Sequence, residues 1–369
     1  MNQLFRWDQM GLFLLALAAG ILPFAVPEVC AAALREGLTL CSGPLLLSLF
    51  PFLVVSRLLI QCPESDLLAL LFRLAAWGIG IRTPCAARVL CIGFLGGFAP
   101  AASAAAQAVR TGQLTAEEAD ALLPACICSG PSFVVLTVGQ SLLGSAELGV
   151  LLFASQITAN YLTAALLNRF VGVRSVKPGS AAPASPAPPR LDEILADAAI
   201  TYCKLCGFIL FFRMLAAGAG ALLPAGAGTL CAILLEVCSG CDLASRTGRW
   251  GSLLCCAALS VQGLSVLLQV RTICPPEMTL RPLYRARLLH LPLSLALFYL
   301  LLPGGEADVF STLPARVLLM RRVPPDCALL VFAVCCMAAC TLRSGIRQVE
   351  QKQMARNAGG CCINSKTLL

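Results

Sequence analysis

CSGPSFVVLTVGQ, residues 128–140, is the stretch on which the fold turns. A Gly130-Pro131 pair, flanked by the hydroxyls of Ser129 and Ser132, opens an apolar run that closes on Gln140. A helix that merely crossed a bilayer would have no use for a helix-breaking pair there. The stretch reads instead as a helix that starts at membrane depth, with a serine as N-cap and Pro131 near the first helical position.

Composition makes membrane depth the right setting. Of 369 residues, 58% are hydrophobic and 12% charged, with a mean hydropathy of +0.84, whereas roughly 25% of an average soluble domain is charged. Apolar runs near the ~20 residues needed to cross hydrocarbon recur along the chain, so an all-α polytopic membrane protein is expected. The run at 11–26 is read as a retained transmembrane helix, because no small-x-small cleavage site follows it. Net charge is +8. The basic residues gather in two places, Arg169, Arg174, Lys177 and Arg190, then Arg343, Arg347, Lys352, Arg356 and Lys366. The positive-inside rule puts both on the cytoplasmic side, and no nucleic-acid partner is needed to explain the charge. Most of the 21 cysteines lie inside apolar runs, where Cys acts as a small hydrophobe. Cys203/Cys206 and Cys238/Cys241 share that context, so no metal or cofactor is expected.

A Pro/Ala/Ser linker, KPGSAAPASPAPPR (177–190), divides the chain. The expected units are an N-terminal transmembrane helix (1–27), a first membrane repeat (28–170), the linker (171–190), a second repeat (191–302), a loop with a last transmembrane helix (303–341, the span at 326–341), and a basic tail (342–369). The halves correspond in order. PFLVVSRLL (51–59) aligns with GFILFFRML (207–215), placing Arg57 on Arg213; FLGGFAPAAS (94–103) answers to LLEVCSGCDLAS (234–245); CSGPSFVVL (128–136) answers to LSVQGLSVLL (259–268). Each half thus carries an arginine-bearing span, a Gly-containing break and a second polar break, which reads as an internal duplication with half-helices or re-entrant pieces. Between the breaks, TGQLTAEEADALL (111–123) has Thr115 and Glu118 at capping-box spacing and is expected as a short amphipathic surface helix.

Ionisable residues at membrane depth are costly, which makes them functional candidates. Arg57 and Arg213 are expected to approach one central cavity and hold an anion through paired charge-assisted hydrogen bonds, although each would also suit a snorkelling headgroup contact. Glu236 would pair with an arginine in the empty site or carry a coupling proton; an interfacial helix-end carboxylate is its plainer reading. Helix starts at the breaks would offer free N–H groups to the anion: Gly97, Ser129, Gly130, Pro131 and Ser132 in the first half, Ser239, Gly240, Ser260, Gln262 and Gly263 in the second, with Gln140 and Gln269 further on. Close helix packing at small residues competes with this reading. His290 is read as facing a headgroup. No catalytic motif stands out, so an enzyme is not expected.

LFPFLVVSRLL, the block GFLGGFAPAAS to VGQSLLGS (93–145), LLEVCSG, LSVQGLSVLLQV and YRARLLH, in that order, resemble the YlbJ or SpoVV type of sporulation integral membrane protein, of the nucleoside-recognition or Gate-domain group. The resemblance covers about residues 28–302. It implies two Gate-like repeats in a nucleoside-transporter-like fold, a place in the outer forespore membrane of endospore-forming bacteria, and transport of dipicolinic acid toward the forespore by alternating access. The partners implied are a small dicarboxylate and membrane lipid, with room for a homo-oligomer. A non-transporting scaffold for spore-envelope assembly and a nucleoside transporter stand as alternatives.

Overall fold

In the computed structural model the described residues are 2–61, 69–171 and 191–302. The expected linker, apart from residue 171, and the segments expected at 303–341 and 342–369 lie outside them.

Every element among the described residues is helical. The chain begins with α1 (Asn2–Ala25), α2 (Pro27–Ser42), α3 (Pro44–Gln61) and α4 (Leu70–Gly78). It continues with α5 (Pro84–Gly96), α6 (Phe98–Arg110), α7 (Ala116–Cys126), a π-helix (Ser132–Leu142) and α8 (Ala146–Val171). Beyond the linker come α9 (Leu191–Leu222), α10 (Ala225–Leu235), α11 (Val237–Ser245), a 3-10 turn (Gly248–Trp250), α12 (Gly251–Val261), α13 (Gly263–Ile273) and α14 (Arg281–Leu301). Proline opens α2, α5 and α14, where its missing N–H costs nothing and its φ is preset.

Three stretches are long and apolar enough to cross a membrane: Ala146–Phe170, Leu191–Leu222 and Gly248–Ile273. A fourth arises if Phe13–Ala25 and Pro27–Ser42, which meet at 110°, count as one span. Large apolar side chains such as Leu71, Phe170, Leu288 and Leu300 point outward, the surface a lipid would solvate. Inside, small residues dominate. The alanines of α6 from Ala99 to Ala108 are all buried, and they let α6 lie close against α3, α5, α7 and α13.

Four helix breaks organise this interior, and each falls in one of the four stretches singled out above. The chain leaves the helix at Gly97 between α5 and α6, at residues 127–130 before the π-helix, at Glu236 between α10 and α11, and at Gln262 between α12 and α13. The breaks meet in pairs. Gly97, at φ +81°, lies so close to the second break that a Cβ there would stand 2.7 Å from the Gly130 nitrogen. Gly263, at φ +71°, is pressed against the other pair, with a Cβ 2.9 Å from the Leu235 carbonyl carbon and the Glu236 nitrogen. In both halves, then, two broken helices cross backbone to backbone, and only glycine satisfies both the left-handed φ and the contact.

One expectation is corrected. The Thr115–Glu118 capping box forms, with the Glu118 N–H donating to Thr115 Oγ1 and the Thr115 N–H to the Glu118 carboxylate. The helix it starts is no surface helix, however, because Glu118 to Pro124 and Cys126 are buried. Its carboxylates have internal work: Thr83 donates to Glu118, and Asp120 accepts from the Thr279 N–H at 2.8 Å and the Leu280 N–H at 3.1 Å. The capping box marks where a helix begins and says nothing about what surrounds it.

Gly97→Ala and Gly263→Ala should each lower stability by about 2–4 kcal/mol, from overpacking added to a disfavoured backbone. Gly207→Ala, with no atom within 4 Å of the added methyl, should be neutral. Ten of the described cysteines are buried, so thermal unfolding followed with a thiol-reactive dye reads the difference.

Candidate functional site

Breaking a helix frees backbone groups that lipid cannot satisfy, and the side chains that answer them define the polar interior. At Glu236 the carboxylate caps its own helix. Its oxygens accept from the Cys238 and Ser239 N–H groups at 2.8 Å and from the Ser239 hydroxyl at 2.9 Å. This corrects the expected roles of both partners: the start of α11 at Ser239 and Gly240 is filled by an internal anion, and Glu236, 2% exposed, forms no ion pair among the described residues.

The first half solves its second break differently. Arg287 of α14, buried, donates to the Ile127 carbonyl at 2.9 Å and to Asn160 Oδ1 at 3.2 Å, with a long contact of 3.4 Å to the Ser260 carbonyl. Ile127 ends α7 and Ser260 lies in the last turn of α12, so one guanidinium joins the carboxyl ends of broken helices from both halves. It has no carboxylate partner among the described residues. Two helix ends, each worth about half a negative charge, supply what an acid would otherwise provide. Around it, Gln156 donates to Ser260 Oγ at 3.0 Å, Ser260 and Ser294 hydroxyls touch, and His290 Nε2 meets the Gln156 carbonyl at 3.2 Å. His290, 1% exposed, therefore faces the protein interior and not a headgroup.

Arg57 faces a cavity that gathers charge. A space of about 150 Å³ is lined by Arg57, Ser103, Arg110, Asp197, Thr201 and Lys204, among others. Arg57 lies at its base. Its Nη1 pairs with Asp197 Oδ2 at 2.5 Å, Nη2 donates to Thr201 Oγ1 at 3.3 Å, and Nε to Ser103 Oγ at 3.3 Å. Arg110 and Lys204 are exposed at the rim, and neither has an ion-pair partner among the described residues. Three cations and one carboxylate leave the cavity short of two negative charges. No family model, curated protein or solved structure matches the chain.

Arg213 does not join this cavity. It pairs with Glu36 of α2 at 2.7 Å. Along α9 it stands nine residues past Lys204, roughly 13 Å at 1.5 Å per residue. The expected convergence of two arginines is thus replaced by one arginine in a charged cavity and a second in a separate ion pair.

The remaining candidates divide. Gly97 with Gly130, and Gly263 with Glu236, are brought together at the two crossings. The π-helix follows Pro131, as expected of a proline at a helix start, but Ser129 makes no cap and neither Ser129 nor Ser132 makes a side-chain hydrogen bond among the described residues. Ser260 lies on the ending side of its break and not at a helix start. Gln262 occupies the break itself at φ +66°, its amide donating to the Leu259 carbonyl at 3.2 Å. Gln269 donates to Ser265 Oγ at 2.8 Å, while Gln140 is exposed.

Arg287, Asn160 and Gln156 were not among the sequence candidates. A signal was present: Gln156, Asn160 and Thr163 on α8, and Arg287, His290 and Ser294 on α14, recur at three- and four-residue steps, one face of each helix. Arg287→Ala should cost about 2–3 kcal/mol, because two buried carbonyls lose their donor, whereas Arg287→Lys, keeping a charge at the two helix ends, should cost less. Thermal unfolding of the purified variants measures the order.

Proposed function

We propose that the chain is a membrane transporter of a small organic anion, with a dicarboxylate of the dipicolinate kind as ligand. The observation that carries this reading is the Arg57 cavity, where Arg57, Arg110 and Lys204 face a single carboxylate. A dianion makes good the missing charge. Guanidinium groups suit carboxylates because two parallel N–H donors match two oxygens. A neutral nucleoside would leave the imbalance standing.

The architecture supports the duplication and the nucleoside-transporter-like fold that go with this reading. Each half runs through a long helix, two pairs of half-helices and a closing helix: α3 and α5 to α8 in the first, which has α4 as an extra helix after α3, and α9 to α14 in the second. Contacts between the halves are exchanged in kind. α6 packs on α13 while α11 packs on the π-helix, and α7 packs on α14 while α12 packs on α8. Two such units, joined through Arg287, are suited to rocking about the region where their breaks lie. The resemblance to SpoVV-type proteins supports dipicolinate as the ligand and the outer forespore membrane as the location.

A scaffold without transport is the competing reading. It draws on Glu236, which satisfies its own break and leaves that helix start closed to a ligand.

Uptake separates the readings. Proteoliposomes holding the purified chain should accumulate labelled dipicolinate above empty vesicles, and excess uridine should not compete. Arg57→Ala should reduce the rate at least tenfold, while Arg213→Ala, outside the cavity, should retain most of it. Wild-type vesicles that take up no more than empty ones would leave the scaffold.

A further inference from the structure

Asp197 takes, on Arg57, the position that a ligand carboxylate would need. The Arg57 guanidinium makes three polar contacts, and two go to the neutral hydroxyls of Ser103 and Thr201 at 3.3 Å. The third, and the only charge-assisted one, goes to Asp197. The two partners differ in setting: the Arg57 side chain is 9% exposed and the Asp197 side chain 61%. A buried guanidinium without an anion is costly, so the empty cavity needs a counter-charge. A carboxylate on the exposed face of α9 supplies it and is free to swing away by rotation of its own side chain.

The pair is also weak enough to yield. Asp197 is largely in solvent, where water competes for its carboxylate, and it gives Arg57 one hydrogen-bonded oxygen. An arriving carboxylate has room for two, and a second carboxylate on the same ligand reaches toward Arg110 or Lys204 at the rim. With Asp197 retained in the cavity wall, three cations are matched by one resident and two arriving negative charges. A monocarboxylate leaves one cation over.

We propose that Asp197 is a tethered stand-in for the ligand, holding Arg57 while the cavity is empty and giving way to one carboxylate of a dianion. The inference rests on the anion-transport reading and adds to it an internal competitor that lowers affinity, eases release, and sets the preferred ligand charge at two.

Titration calorimetry on the purified full-length chain in detergent, with dipicolinate and picolinate as probes, tests it. Asp197→Asn and Asp197→Ala should each bind dipicolinate about three- to tenfold more tightly than wild type, and Asp197→Glu, which keeps the competitor, should stay within twofold. Wild type should favour dipicolinate over picolinate, and Arg57→Ala should bind neither. Dipicolinate binding to Asp197→Asn alone, with none to wild type, would also support the stand-in. If wild type binds and neither neutral variant binds more tightly, Asp197 is no competitor and only this inference falls. If neither wild type nor any Asp197 variant binds either probe, the inference and the anion reading fall together. Binding with the expected order but no uptake into vesicles would overturn transport and leave the stand-in intact.

Discussion

A backbone that leaves the helix inside a membrane has no water to turn to, and the satisfaction of its freed N–H and C=O groups is the constraint on which this structure rests. Four breaks pose that problem, and different answers are used. Glu236 folds its carboxylate onto the N–H groups of the helix it precedes. At Ile127 and Ser260 the answer comes from across the molecule, through the Arg287 guanidinium. The glycines at 97 and 263 make these solutions mutually dependent, because each crossing presses one break onto another. A change at one break is therefore felt at its neighbour, and the polar cluster of Gln156, Asn160, Ser260 and Ser294 has little freedom to adjust alone.

Arg287, Arg213 and Arg57 show how position assigns work to identical side chains. Arg287 is compensated by the ends of two helices and acts as a tie between halves. Arg213 is compensated by Glu36 and fastens α9 to α2. Arg57 is compensated by a carboxylate that is itself largely in solvent, and it alone adjoins a cavity with unmatched cations. A buried charge by itself therefore does not mark a ligand site.

Much of the architecture was legible in the residues. Gly-Pro at 130–131, Gly97 and the polar insertions at Glu236 and Gln262 break apolar runs in a way that only broken helices accommodate, and the structure breaks where they stand. Thr115 and Glu118 announced a helix start by local chemistry alone. What escaped was whatever depends on partners distant in sequence. Arg57 and Arg213 occupy aligned positions, but alignment fixes the place along a helix and not which helix lies opposite; the first meets Asp197, 140 residues on, the second Glu36. Ser260 reads as a helix start because LSVQGLSVLL aligns with CSGPSFVVL, whereas α12 runs on to Val261. Arg287 shares the start of its helix with Arg281 and Arg285, so charge alone does not single it out, and the polar stripe that does becomes visible only when α8 and α14 are read as facing each other.

The length of α9 gives the charged cavity its surroundings. Thirty-two residues make a rod of roughly 48 Å at 1.5 Å per residue, against a hydrocarbon layer of about 30 Å. Fitting it inside by tilt alone would take an inclination of about 50°, beyond the usual range of up to about 40°, so one end must stand out of the hydrocarbon. The end bearing Asp192, Glu193, Asp197 and Lys204 is the polar one. The mouth at Arg57 accordingly opens among hydrated headgroups, and on the proposed reading an anion arriving there would give up its water one side at a time, against a guanidinium already in place, before meeting any part of the oily layer.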